Sequence, residues 1–149
     1  MTYDDLFAVF NFGVLPFWAL LIFLPRARVT QVLVHSVLLP VLLGIAYVTF
    51  LVIAVTSDDV AGGFGSLAGV MAAFTWPVAM LGGWIHYLVF DLFVGAWAAR
   101  DAQRHGISRW AVVPVLLLTL MAGPAGLLLY VIVKGVRQKS WALDELGAT

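Results

Sequence analysis

Four long apolar runs, separated by short polar segments, dominate the chain. They cover about residues 6–24, 31–55, 76–99 and 111–133. A helix needs about 20 apolar residues to cross the roughly 30 Å hydrocarbon core of a bilayer, because each residue advances it by about 1.5 Å. The pattern predicts an all-α integral membrane protein, a bundle of four transmembrane helices that forms a single membrane domain over residues 1–149.

Glycine and proline mark irregular points in this pattern. Pro16 is expected to kink the first helix, and Gly123-Pro124 predicts a bend in the fourth. The apolar, glycine-rich residues 60–74, between the second and third runs, are too few to span. We expect this connector to lie in the interface or to be re-entrant, with protein covering its backbone polar groups. A structureless loop is the alternative.

Basic residues in short loops predict the orientation, since they favour the cytoplasmic side. One group follows the first and third runs, and the other lies in the tail: Arg26, Arg28, Arg100, Arg104 and Arg109, then Lys134, Arg137 and Lys139. If the fourth run spans fully, the larger group places both termini outside. Re-entry of the fourth run at Gly123-Pro124 would instead bring the tail to the cytoplasmic side.

Composition excludes several functions. Hydrophobic residues make up 63% of the chain and charged residues 11%, against about 45–50% and 25% in soluble domains. The formal net charge of zero gives no electrostatic footprint for nucleic acid. With no cysteine, there is no disulfide, thiolate metal site or cysteine nucleophile.

His86 and Asp91 are ionisable residues deep in the third run. A charge at a helix centre costs about 2.5–3.5 kcal/mol on insertion scales, so both need an explanation. Five residues apart, they point about 140° from each other, and each must be completed by other helices. We expect a buried Asp91 to act as an acid and His86 as a base or orienting partner.

Three further polar residues are candidates for completing this site. Asn11 is expected at the level of His86, Thr119 at the level of Asp91, and His35 in contact with Asp91 or Arg100. Hydrogen bonds across a helix interface are the alternative role of Asn11 and His35, at about 0.6 kcal/mol each. This site offers two or three possible metal ligands, none of them three or four residues from another, so neither a metal nor another cofactor is predicted.

Aromatic side chains surround these positions. A pocket lined by Trp84, Tyr87, Phe90 and Phe93 would suit a long conjugated hydrocarbon. Aromatic packing without a ligand is the alternative interpretation.

Residues 84–93 resemble the abscisic-acid-deficient-four-like family through the pattern W-I-H-x-L-x-x-D-L-F. Supporting similarities are Leu15-Pro16-Phe17, Pro25, Thr30, Arg104-His105-Gly106 and Gly123-Pro124-Ala125-Gly126, which together cover most of residues 7–136. Plant members are implicated in the synthesis of neoxanthin from violaxanthin, so the resemblance implies a protein that binds or modifies carotenoids. That reaction opens an epoxide to an allene by proton movement, without a redox cofactor, and His86 and Asp91 match the motif.

The composition, with more Arg than Lys and with much Ala, Val and Gly, suggests a bacterial source and the bacterial inner membrane. Because epoxycarotenoids are uncommon there, we expect another carotenoid or polyene as the substrate.

Three hypotheses follow for function. The first is a carotenoid-modifying isomerase or lyase, the second is a non-catalytic carotenoid-binding or pigment-delivery protein, and the third is a small proton-coupled transporter. The expected partners are a carotenoid or other polyene lipid and membrane lipids, with either a homo-oligomer or a pigment–protein complex, and no nucleic acid.

Overall fold

A computed structural model describes residues 1–57, 61–139 and 141. Asp58, Asp59 and Val60 of the connector region, and Ser140 and residues 142–149 of the predicted tail, lie outside the described residues. The described part contains eight α-helices and no strand: α1 (Tyr3–Gly13), α2 (Leu15–Phe23), α3 (Arg28–Leu33), α4 (Leu38–Thr56), α5 (Leu67–Ala73), α6 (Pro77–Arg104), α7 (Arg109–Met121) and α8 (Gly123–Gln138). The all-α prediction is confirmed.

Three helical stretches in the described part are long and apolar enough to cross a membrane. They are Tyr3–Phe23, Arg28–Thr56 and Pro77–Arg104, and a shorter apolar helix follows at Arg109–Met121. These lengths favour association with a membrane. The predicted fourth span, residues 111–133, is not one continuous helix, because α7 ends and α8 begins within it.

The chain divides into two compact units. The first unit contains Met1–Pro16 and Val37–Val89, and the second contains Phe17–Ser36 and Phe90–Thr149. The helix α6 contributes residues to both units, and each unit is described below by itself.

In the first unit, local hydrogen bonds define the start of α1. The Thr2 hydroxyl accepts from the backbone N–H of Asp5 at 3.1 Å, and the Asp5 carboxylate accepts from the N–H of Thr2 at 2.8 Å. This is a capping box, which satisfies N–H groups that a helix start leaves open. The helix is interrupted at Val14, two residues before Pro16, in agreement with the predicted kink.

The glycine-rich connector of the first unit is folded where it is described. Ser66 caps α5 by accepting from the N–H of Gly69, and the N–H of Gly63 donates to the carbonyl of Gly69 at 3.1 Å. Gly62 has φ +111°, and a β-carbon there would lie 2.3 Å from the Gly69 carbonyl oxygen. Only glycine fits this turn. The structureless-loop alternative is therefore wrong for residues 67–73, which are helical.

In the second unit, small residues of α6 admit the large side chains of α2. A β-carbon at Gly95 would lie 2.6 Å from the Trp18 ring, which is itself only 2% exposed. Ala98, Ala99 and Ala102 are also buried. Small residues at helix contacts let backbones approach closely, which is how membrane helices gain packing energy.

The helix α8 runs alongside α6 in the same direction. Residues of increasing number in α8 meet residues of increasing number in α6: Gly123 with Asp91, Tyr130 with Trp97, Lys134 with Asp101 and Gln138 with His105. Because α7 begins at Arg109, shortly after α6 ends at Arg104, it must run in the opposite direction. Together α7 and α8 form a helical hairpin.

The turn of this hairpin has a local cause. Ala122 leaves the helical region at φ −160° and ψ 79°, and Pro124, in the first turn of α8, has no N–H to donate. Gly126 packs against Thr119 so closely that a β-carbon would lie 2.4 Å from the Thr119 nitrogen. The chain therefore reverses at Ala122, where a bend was expected, and residues 111–133 belong to two antiparallel helices. Gln138 consequently lies at the same end of the unit as His105.

The hairpin makes a prediction about topology. Because the chain contains no cysteine, single substitutions Ser108→Cys and Arg137→Cys give clean labelling sites. We expect a membrane-impermeant maleimide to label both from the same side of sealed vesicles, and the unsubstituted chain gives the background. Labelling from opposite sides would mean that α7 and α8 together cross the membrane.

Candidate functional site

Asp91 lies on α6 in the second unit and is only 7% exposed. Its carboxylate packs against Gly123, the first residue of α8, and a β-carbon at Gly123 would lie 1.8 Å from Oδ1. The N-terminal end of a helix carries partial positive charge and favours an anion. The start of α8 therefore offsets part of the cost of burying the carboxylate.

Thr119, the residue expected at the level of Asp91, shapes this turn. Its hydroxyl donates to the Val115 carbonyl oxygen at 2.8 Å within α7. Its backbone contacts Gly126, as described above. The side chain is fully buried, so Thr119 helps to hold the hairpin that presents Gly123 to Asp91.

His86 lies on the part of α6 that belongs to the first unit. Its ring packs against Tyr47 of α4, with ring centroids 5.2 Å apart. Both side chains line a cavity of about 470 Å³. Its other walls are apolar or backbone: Phe50, Leu51, Ala54, Val55, Gly62, Gly63, Phe64, Ala73, Phe74, Ala79, Gly82 and Gly83.

The cavity is built by glycines and aromatic rings. A β-carbon at Gly82 would lie 3.5 Å from Phe50, and one at Gly83 would lie 3.2 Å from the Phe74 ring. The folded connector supplies Gly62 and Phe64 to the wall. A mostly apolar cavity with a few polar groups is the usual form of a small-molecule site. Here an imidazole and a phenol supply that polarity.

Trp84 and Asn11 form a separate contact in the first unit. The Trp84 indole N–H donates to the Asn11 side-chain oxygen at 3.2 Å. The Trp84 ring also packs against Phe7 and Tyr87, with centroid distances of 5.4 Å and 5.2 Å. Asn11 thus fixes Trp84, which matches the interface role given as its alternative.

The four aromatic residues predicted to line one pocket are divided. Trp84 and Tyr87 belong to the first unit, whereas Phe90 and Phe93 belong to the second and are 55% and 52% exposed. None of the four lines the cavity beside His86. Sequence reasoning missed its Tyr47 and Phe50, although their spacing of three residues places them on one face of α4.

His35 contacts Arg100 in the second unit. The distance from the guanidinium to His35 Nδ1 is 3.1 Å. Because a guanidinium only donates, Nδ1 must accept. One of the two partners predicted for His35 is therefore confirmed.

A buried polar cluster around Asp101 was not predicted. Lys134 of α8 lies 2.9 Å from its carboxylate, and the Tyr130 hydroxyl donates to the same oxygen. Asp101 is 0% exposed and Lys134 3%. His105 Nδ1 lies 3.4 Å from the other carboxylate oxygen. The available signal was the spacing of Tyr130 and Lys134, four residues apart on one helix face.

Metal ligands are sparse in the described part of the chain. No three His, Cys, Asp or Glu side chains among residues 1–57, 61–139 and 141 lie together as a metal site would require.

These features define a class: an all-α protein with helices of membrane-spanning length, an apolar cavity beside a histidine, and a buried carboxylate against a glycine–proline turn. The chain belongs to the ABA DEFICIENT 4-like family, whose sequence model matches residues 5–130. The resemblance carried by residues 84–93 is thus confirmed.

The chain is similar to the protein ABA DEFICIENT 4, chloroplastic, of Arabidopsis thaliana. The two are 29% identical over 145 residues, which cover 89% of this chain and 62% of the plant protein. The chain thus spans about three fifths of the length of this curated relative. No solved structure matches. A chloroplast relative gives no support to the predicted bacterial source and inner membrane.

The contact between Gly123 and Asp91 predicts a specific steric cost. We expect Gly123→Ala to destabilise the fold by about 1–3 kcal/mol, the usual range for overpacking, because the new methyl group meets the carboxylate. Thermal unfolding in detergent measures the loss, and Gly44→Ala is the control because a β-carbon there meets nothing within 4 Å. In an Asp91→Ala background the penalty should shrink. Equal unfolding temperatures for the two alanine variants would contradict the contact.

The buried cluster around Asp101 predicts that removing only one charge of the Asp101–Lys134 pair destabilises the fold. We expect Lys134→Met to cost about 3–5 kcal/mol, because it leaves a buried carboxylate without its cation. Adding Asp101→Asn should recover most of the stability, since the amide oxygen still accepts from Tyr130. The matched control is Arg137→Gln at an exposed position of α8. A double variant as unstable as Lys134→Met would refute the charge explanation.

Proposed function

We propose that this protein binds a carotenoid or another polyene in the cavity beside His86 and isomerises it by proton transfer. The observation that carries the proposal is the imidazole of His86 in a mostly apolar cavity, packed against the phenol of Tyr47. Membership of the ABA DEFICIENT 4-like family supports a carotenoid-related role. No redox step is needed, because an isomerisation conserves atoms and electrons.

The size of the cavity supports binding of one end of such a ligand. Its volume of 470 Å³ falls in the range of about 300–1,000 Å³ that is usual for small-molecule sites. An end group fits this volume, and the rest of a long polyene would extend into the surrounding lipid. The aromatic walls at Phe50, Phe64 and Phe74 suit a conjugated ligand.

The proposed chemistry divides one proton transfer between two residues. His86 removes a proton from carbon or orients the group that does, and with an epoxide substrate an acid gives a proton to the oxygen of the opening ring. Asp91, the acid predicted from the sequence, is not among the residues that line the cavity, so its role as that acid stays a prediction. The turnover is complete when the proton taken up at His86 is returned to the acid. The dry surroundings favour both steps.

We propose a membrane arrangement to match. Three spanning stretches and a re-entrant hairpin of α7 and α8 replace the four predicted spans, within a single membrane domain. The glycine-rich connector lies at the interface or re-enters, where it contributes Gly62 and Phe64 to the cavity wall. Re-entrant backbone requires cover by protein, and the contacts of Gly123 and Gly126 supply it for the hairpin turn.

Pigment binding without chemistry is the second candidate function. The observation that favours it is the lining of the cavity, in which Tyr47 and His86 are the titratable side chains among otherwise apolar walls. A protein that only carries pigment would need the apolar walls of the cavity and no side chain that transfers protons. Purified protein that holds unaltered pigment in a fixed ratio, and converts none of it, would favour this candidate.

Expression in a carotenoid-producing host, followed by pigment chromatography, tests the enzymatic proposal. We expect a new pigment with the intact chain, its loss in His86→Gln and Asp91→Asn, and a reduced yield in Tyr47→Phe. Gly44→Ala is the control, since its added methyl group meets nothing. Unchanged pigments in several backgrounds, or full conversion by both His86→Gln and Asp91→Asn, would defeat the proposal.

A further inference from the structure

A second cavity, of 460 Å³, lies in the second unit and differs from the first in its chemistry. One part of its wall is polar and basic, with Arg26, Gln103 and Arg109. Another part is apolar, with Leu21, Val112 and Leu116. Its walls therefore combine cationic groups with an apolar surface.

The basic residues of the chain are concentrated in the unit that contains this cavity. All eight Lys and Arg residues of the chain fall in the second unit, within residues 26–28, 100–109 and 134–139. The acids described in that unit are Asp91 and Asp101. Asp101 is already paired with Lys134, and Asp91 does not line the cavity. An anion in the cavity would face Arg26 and Arg109, and neither of the two described acids lies in the cavity wall.

Arg109 lines this cavity and reaches the end of α2. Its guanidinium lies 3.5 Å and 3.4 Å from the carbonyl oxygens of Ile22 and Phe23 at the end of α2. It also lies 5.6 Å from the ring centroid of Trp110, which is 78% exposed. Exposed Trp residues gather at the headgroup level of membranes. Since a guanidinium has five N–H donors, the two long carbonyl contacts leave donors for an anion.

We propose that this cavity binds the anionic headgroup of a membrane lipid. Arg26 and Arg109 contact the headgroup, and an acyl chain lies along Leu21, Val112 and Leu116. Basic pockets between membrane helices are a recognised form of lipid site. A free phosphate would match the arginines but would leave the apolar wall without a partner, so the two-sided lining favours a lipid.

Binding at this site has a consequence for stability. The cavity is lined by α2, by the end of α6 and by the start of α7. A lipid that contacts all three would hold the first half of the hairpin against the rest of the second unit. Because it binds the folded chain, it raises the unfolding temperature as its concentration rises.

The test uses the purified full chain in mild detergent. Phosphatidylglycerol, phosphatidylcholine and inorganic phosphate are added separately, with thermal unfolding and native mass spectrometry as the measurements. We expect phosphatidylglycerol to raise the unfolding temperature and to remain bound, with weaker effects of phosphatidylcholine and none of phosphate. Arg26→Gln and Arg109→Gln should each weaken the binding about fivefold, the effect expected for one basic residue near a lipid surface.

Arg137→Gln is the matched control, because it removes the same charge from an exposed residue that does not line the cavity. Arg109→Lys, which keeps the charge, should retain most of the binding, and Arg26→Gln tests the site if Arg109 is also needed for folding. Equal effects of the two lipids, a full effect of phosphate alone, or equal binding by the Arg26→Gln and Arg137→Gln variants would overturn the proposal.

Discussion

The buried ion pair of Asp101 and Lys134 fixes the register on which the second unit depends. Two charges without exposed surface require close mutual contact and further hydrogen bonds, and Tyr130 provides one of these. Their contact holds α8 beside α6, with Tyr130 and Lys134 facing the same carboxylate. Once that register is fixed, the first residue of α8 must lie about 16 Å back along the helix from Lys134, which is where Gly123 meets Asp91.

This register explains how a carboxylate is tolerated far from the polar ends of α6. Asp91 receives the N-terminal end of α8, so part of its solvation comes from that helix. The arrangement requires glycine at position 123, since any β-carbon would occupy the space of the carboxylate. Asp91 and the Gly123-Pro124-Ala125-Gly126 turn, both within the stretch that the family model covers, are therefore parts of one structural feature.

The helices could be predicted from sequence because apolar runs, Pro16 and the absence of long polar segments are local signals. The reversal at Ala122 could not be predicted in this way. Hydropathy depends only on how many residues are apolar, and it contains no information on the packing of Gly126 against Thr119. The depth of each residue, counted along its apolar run, correctly placed His35 near Arg100, since both lie close to the ends of their runs. It could not identify the partners of Asp91 or the cavity beside His86, because these depend on which faces of the helices meet. The pairing of Asp101 with Lys134 was missed for the same reason.

The reversal also changes the meaning of the charge distribution. With a full fourth span, the basic residues of the tail would oppose those around residues 100–109, and the orientation would rest on a small difference. With the hairpin, Gln138 lies at His105 and the flanking Lys134 and Arg137 join the other basic residues of the second unit. The positive charge of the chain is then gathered in one unit, while the described acids Asp4 and Asp5 belong to the other. Because basic residues near helix ends resist translocation, we expect the hairpin that brings Gly123 to Asp91 also to strengthen the signal that would orient the chain in a membrane.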